Sequence, residues 1–173
     1  AISEEEVKAP AAVLMEAQTG KVLYEKNPHE KRACASITKV MTLLLVMEAL
    51  DAGKIALTDT VTASAHAASM GGSDIWLKEG EAMSVDDMLK ATVVASANDA
   101  AVALAEYVAG SEEEFLRQMN EKAQALGMAD TTFKNCNGLD EEGHLTSAYD
   151  VAVMSRELMK HKKIFDYTKI WID

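Results

Sequence analysis

The segment Ala35-Ser36-Ile37-Thr38-Lys39-Val40-Met41-Thr42-Leu43-Leu44-Leu45-Val46-Met47-Glu48-Ala49-Leu50 governs how the rest of the chain is read. From Ile37 to Leu50 it is apolar on nearly every face of a helix, and Asp51-Ala52-Gly53 supplies a stop. A helix with no polar side must be covered all round, so the pattern predicts a helix at the centre of the core. Lys39 is the sole charge between Lys31/Arg32 and Glu48. Carrying a lysine into a core is costly unless it has partners or a task. Ser36 precedes Lys39 by three residues, so on a helix both project from one face. Free N–H groups and the macrodipole at a helix N-terminus favour negative charge, such as an alkoxide or an oxyanion. In desolvated surroundings the lysine becomes less basic, and its neutral amine can accept a proton from the hydroxyl. A helix-capping serine followed by a surface lysine fits the same four residues. The spacing alone leaves both readings open.

Upstream, residues 11–17 and 21–26 read as strands joined by Gln18-Thr19-Gly20, a hairpin. Residues 27–35 form an irregular approach to Ser36. Residues 54–83 carry small residues, turns and at most short strand-like pieces. Ser84 with Asp87 has the form of a capping box and opens a helix to about Val94. A second helix follows Asn98 and ends near Gly110. Ser111 with Glu114 caps a third that reaches Leu126, with Gly127 as its stop. Residues 131–135 fit a strand, and Ser147 with Asp150 caps a helix through about Lys160. An isolated hairpin is marginal in water, so further sheet or helix cover is required. The expected class is α+β.

The 173 residues are 49% hydrophobic and 26% charged, an ordinary globular balance that excludes a disordered tail. Lys plus Arg is 17 and Asp plus Glu is 28, so the formal charge is −11. Binding a phosphate backbone needs a basic face, which sets nucleic acid aside as a partner. The longest apolar run, Val40 to Met47, is too short to span a bilayer. The chain opens Ala1-Ile2-Ser3-Glu4-Glu5-Glu6, without the basic and apolar regions of a signal peptide. Either a cytosolic protein or a mature exported one fits that opening. The four histidines are scattered and form no HExxH pair, so they are expected as solvated surface residues. Cys34 and Cys136 cannot complete a zinc site by themselves, and two buried free thiols are expected over a disulfide.

Ser96-Ala97-Asn98 falls at the junction of two expected helices, among small residues. A hydroxyl and a carboxamide two positions apart on a tight connection can face the same way. The hydroxyl can relay a proton and the amide can hold a peptide carbonyl. Plain helix capping fits these residues equally well. S-x-x-K and S-x-N nevertheless each occur once, in that order.

Together the two motifs resemble those of the serine penicillin-recognising enzymes, and in particular the low-molecular-mass D-alanyl-D-alanine carboxypeptidases. The likeness extends from Ala12 to Leu23, through Ala35–Thr42, Gly72–Leu77 with Glu79-Gly80-Glu81, and Ala95–Ala101. It continues through Phe133-Lys134-Asn135-Cys136-Asn137-Gly138-Leu139 and Thr146–Asp150. It implies a β-lactamase/DD-peptidase-like α+β fold, an antiparallel sheet with helices on both faces, over residues 1–173. It implies Ser36 as nucleophile, Lys39 as its base, Ser96 as proton relay and Asn98 as substrate-binding residue. The implied partners are a peptidoglycan stem peptide ending in D-Ala-D-Ala and β-lactam antibiotics as acylating inhibitors. No metal and no organic cofactor is implied. The implied location is extracytoplasmic, with membrane association through a C-terminal segment that this chain does not contain.

The family carries a third motif, Lys-Thr-Gly, on a strand that lines the site and supplies a second oxyanion donor and a cation. No such tripeptide occurs in these 173 residues; Gln18-Thr19-Gly20 lacks the lysine and sits in the first hairpin. The domain is therefore expected to be C-terminally incomplete. Two other readings stay open from sequence. One is a non-catalytic homologue that binds wall peptide or a partner. The other is a class A-like β-lactamase, against which stand the Asn135–Leu139 segment and the lack of a convincing deacylating glutamate, since Glu157 lies in an expected helix.

Overall fold

The apolar segment after Ser36 does become the central element. In the computed structural model, which describes residues 9–172, helix α1 spans Thr38–Asp51. Met41, Leu44, Val46, Met47 and Leu50 are all buried, although they leave the helix in different directions. Three later helices cover it: α4 (Asn98–Ala109), α5 (Glu112–Ala125) and α6 (Ala148–Met159). Helix α3 (Val85–Val94) packs on α4, and α7 (Ile164–Ile172) packs on α3. A single-turn helix, α2 (Ala65–Ala68), rests on α4.

Local chemistry sets the helix starts. Ser84 Oγ accepts the Asp87 N–H at 3.0 Å, Ser111 Oγ accepts that of Glu114 at 3.1 Å, and Ser147 Oγ that of Asp150 at 3.2 Å. These are the three caps expected from sequence, each worth about 1 kcal/mol. Glu112, Glu113 and Glu114 fill the first turn of α5, where the helix dipole favours them. Gly110 ends α4 at φ 92°, a left-handed position that glycine takes without strain.

The strands form three separate antiparallel pairs among the described residues. Strand β1 (Ala12–Met15) pairs with β2 (Val22–Lys26) in the expected hairpin. Helix α6 lies against β1, and Arg156 donates to the carbonyls of Ala17 and Gln18 in the hairpin loop. Strand β4 (Thr60–Thr62) pairs with β5 (Ala82–Ser84) inside the loop-rich stretch. Strand β3 (Arg32–Ala33) pairs with β6 (Leu145–Thr146), joining the approach to Ser36 to a segment over a hundred residues later. The acidic opening of the chain lies outside the described residues.

Two expectations need correction. Residues 131–135 do not form a strand. Only Thr132 makes a bridge, to Leu145, and the chain then turns. The cause is Asn135, whose Oδ1 accepts the N–H groups of Asn137 (3.3 Å) and Gly138 (2.8 Å) and thereby holds a turn instead of an extended ladder. The histidines are not all surface residues either. His29 and His66 are exposed, but His144 is only 2% exposed. Its Nδ1 accepts the Lys134 N–H at 2.9 Å, so the proton sits on Nε2. Burial lowers its pKa below the ordinary 6.5, against a weaker upward pull from the Glu141 and Asp140 carboxylates.

A group whose folded pKa is depressed by burial in its neutral form stabilises the fold fully above its unfolded pKa. The chain is therefore expected to lose stability as pH falls below about 6.5, because the unfolded state takes the proton first. His144→Gln removes that increment. Urea unfolding midpoints of both proteins, measured from pH 7.5 to pH 5, check this; parallel pH curves would contradict it.

Candidate active site

Ser36 does not sit in the first turn of an α-helix. It is the middle residue of a 3₁₀ turn, Ala35–Ile37, that leads into α1. All three residues of the turn are exposed, and Ala35 stands at φ 49°. One helical turn on, Lys39 is buried, at 6% exposure. Its Nζ donates to Asn98 Oδ1 and to the Asn137 carbonyl, both at 2.7 Å. Burial lowers the Lys39 pKa to about 8, and the nearby Cys136 sulfur and Asp74 carboxylate pull against that shift.

Asn98 opens α4. Lysine can only donate and a backbone carbonyl can only accept, which fixes the Asn98 amide orientation. Its Oδ1 faces Lys39, while Nδ2 donates to Gly71 O at 2.8 Å. Its backbone N–H donates to Ser73 O at 2.7 Å. One amide hydrogen of Nδ2 is thus left for another acceptor. Ser96 occupies the bend between α3 and α4 at φ 51°. A non-glycine residue held there stores about 1–3 kcal/mol, a cost that recurs at functional sites. The next buried carboxylate, Asp99, accepts the N–H groups of Ile75 (3.1 Å) and Leu77 (2.9 Å). It ties the loop that carries Gly72 and Ser73 to the start of α4.

Ser36, Lys39, Ser96 and Asn98 line one cleft of about 210 Å³, closed on its other sides by Gly72-Ser73 and Asn137-Gly138-Leu139. A larger cavity, about 460 Å³, lies between the hairpin and α6. It is lined mainly by apolar residues such as Val13, Ile37 and Val151, and none of the four candidates reaches it. The smaller cleft is the one that brings the four candidates together.

From sequence, the Asn135–Leu139 segment carries family likeness and a place near the expected site rim, but no contact. It forms a wall of the cleft. Asn135 shapes it, Thr42 Oγ1 donates to Cys136 O at 2.6 Å, and Asn137 O meets Lys39. A signal was present in Asn135-Cys136-Asn137-Gly138, since Asn and Gly at those offsets are turn formers. Gly138 has a strict requirement. Its φ is 95°, and a β-carbon there would stand 2.1 Å from the Ala35 carbonyl oxygen. Gly138→Ala is expected to cost at least about 1–3 kcal/mol in backbone strain. That should lower the unfolding temperature by several degrees, as thermal denaturation would read. An unchanged melting temperature would contradict the contact.

Cys34 and Cys136 are buried free thiols, as expected. Burial pushes Cys34 up to about 11, and Cys136 is raised as well, by burial first and then by Glu112. Neither thiol is poised as a nucleophile. Among the described residues no group of three His, Cys, Asp or Glu side chains is placed to hold a metal ion. No described helix is long and apolar enough to cross a membrane.

The family model described as D-alanyl-D-alanine carboxypeptidase matches residues 1–171. The chain belongs to that family. It is 57% identical over 166 residues to the D-alanyl-D-alanine carboxypeptidase DacF of Bacillus subtilis, covering 96% of this chain and 43% of that protein. Among solved structures it is similar to the D-alanyl-D-alanine carboxypeptidase DacD of Francisella tularensis, with a TM-score of 0.86 and 37% identity over 97% of this chain and 40% of that one. It is also similar to penicillin-binding protein D2 of Listeria monocytogenes in its ampicillin-bound form, with a TM-score of 0.80 and 30% identity over 92% of this chain and 65% of that one. The chain spans less than half the length of the curated relatives it matches. Family membership sets the β-lactamase reading aside and agrees with the α+β, DD-peptidase-like fold.

Proposed function

We propose that the protein to which this chain belongs is a serine D-Ala-D-Ala carboxypeptidase acting on peptidoglycan stem peptides at the extracytoplasmic face of the cell, and that β-lactams acylate it. The observation that carries the reading is the cleft in which a buried lysine of lowered pKa stands one helical turn from an exposed serine.

Neutral Lys39 has two N–H groups and a lone pair. The Asn98 and Asn137 oxygens take the two N–H groups, which leaves the lone pair for the Ser36 proton. Ser36 Oγ then bonds to the carbonyl carbon of the penultimate D-alanine as its proton passes to Lys39. The Ser36 N–H stabilises the oxyanion. Collapse breaks the peptide bond, and the leaving D-alanine amine takes the Lys39 proton by way of Ser96. The second hydrogen of Asn98 Nδ2 holds a carbonyl of the substrate backbone. Water hydrolyses the ester, restoring Ser36 and releasing the shortened peptide. With a penicillin the bond that breaks is the lactam amide, and the leaving nitrogen stays tethered, which hinders entry of water. The ampicillin held by the Listeria relative supports this part of the reading.

The test is D-alanine release from a peptide ending in D-Ala-D-Ala. The 173-residue chain alone is expected to be slower, by roughly 10²–10³-fold, than a longer form that supplies a Lys-Thr-Gly strand, because one oxyanion donor is worth about that much. Equal rates would place every donor within residues 1–173 and contradict the incomplete-site expectation. No release by the longer form would overturn the proposed activity.

A further inference from the structure

The turn that carries Ser36 has little holding it from within. Its three residues are exposed, and no side chain caps its start. It is gripped instead at residues 34 and 38, and both grips lead to His144. The His144 carbonyl accepts the Cys34 N–H at 3.2 Å. Its ring Nε2 lies 2.7 Å from Thr38 Oγ1. Because Nδ1 accepts the Lys134 N–H, Nε2 carries the hydrogen and Thr38 accepts it. Cys34, Thr38 and His144 are each 2% exposed or less, so water does not compete for these bonds.

We propose that His144 is a positioning residue for the nucleophile: its Nε2–H, through Thr38, fixes the orientation of the Ser36 turn relative to Lys39. The inference rests on the reading of Ser36 as the nucleophile. The clamp spans two segments that share no local sequence signal, and it places a rigid, buried side chain immediately behind an exposed reactive one. Misplacing a reacting group by about 1 Å can cost roughly 10²-fold in rate.

Two substitutions separate the ring's two contacts. His144→Gln keeps an N–H near the Nε2 position and loses the acceptor for Lys134. His144→Asn keeps an acceptor near the Nδ1 position and loses the bond to Thr38. The experiment uses the full-length protein and a fluorescent penicillin. It measures the acylation rate constant and the prior non-covalent dissociation constant separately, with thermal unfolding alongside. His144→Asn is expected to acylate about 10-fold to 100-fold more slowly with dissociation constant within about twofold of wild type. His144→Gln should stay within about threefold in both constants. Thr38→Val should match His144→Asn, and the double variant should be no slower than either single one. Should His144→Asn fail to fold, Thr38→Val carries the comparison.

Wild-type acylation rates in His144→Asn or Thr38→Val would overturn the inference. So would equal losses in the Gln and Asn variants, which would mark a packing role. If wild type takes no label on Ser36, the nucleophile reading fails and this inference with it. Label on wild type with an unimpaired Asn variant removes the inference alone.

Discussion

Ser36→Ala in the full-length protein is expected to abolish covalent attachment of penicillin while leaving the fold intact. The hydroxyl is the atom proposed to form the bond, and no neighbour substitutes for it. Cys34, two residues away, is 1% exposed and its thiol is pushed up to about 11, so it offers almost no thiolate at neutral pH. Ser96 sits in the cleft but has no lysine one helical turn ahead of it. Loss of a hydrolase's serine nucleophile costs on the order of 10⁶-fold in turnover. Ser36 is exposed, so its truncation should shift stability by less than about 0.5 kcal/mol. Residual labelling of the variant on a gel, with an unchanged melting temperature, would mean that another residue is the nucleophile.

Lys39→Arg gives the second large effect. The charge and both acceptors remain, but a guanidinium holds its proton at any working pH and cannot serve as base. General-base removal costs typically about 10²–10⁴-fold, and the acylation rate should fall by that amount. The pH dependence distinguishes a base from a structural cation. With a folded pKa of about 8, roughly a tenth of Lys39 is neutral at pH 7, and the neutral fraction rises as pH climbs through 8. Wild-type acylation should therefore increase with pH and level off above about 8, and the Arg variant should lack that inflection. Stopped-flow acylation between pH 6 and pH 10 checks both. Near-normal rates in Lys39→Arg would make Lys39 an electrostatic or structural residue.

What could be read from sequence was the local part. The apolar length of Val40–Met47 put α1 in the core, and the spacing of Ser36 and Lys39 put their side chains within one turn. The caps at Ser84, Ser111 and Ser147 depend on residues three apart, so they too were legible. The wall at Asn137 was not. Its carbonyl reaches Lys39 across 98 positions, a contact that no local pattern encodes. Strands β3 and β6 are only two residues long each, too short to show alternation. Their pairing is what carries His144 to the Ser36 turn. A lone histidine in a polar stretch gives no hint of burial; His144 is buried because Lys134 N and Thr38 Oγ1 satisfy both ring nitrogens. The 3₁₀ entry to α1 was likewise missed, since the sequence pattern fixes helix ends only to within a residue or two.

The central claim is that Ser36, set on that turn beside a buried Lys39, forms the covalent bond. The most direct measurement is peptide mapping of the full-length protein after exposure to benzylpenicillin. Trypsin cuts after Arg32 and Lys39, so Cys34 and Ser36 share the peptide Ala33-Cys34-Ala35-Ser36-Ile37-Thr38-Lys39. Fragment ions separate the two. The account predicts that the added mass of one opened penicillin resides on Ser36, with Cys34 unmodified. An adduct on Cys34, on Ser96 or on any peptide other than this one would contradict it.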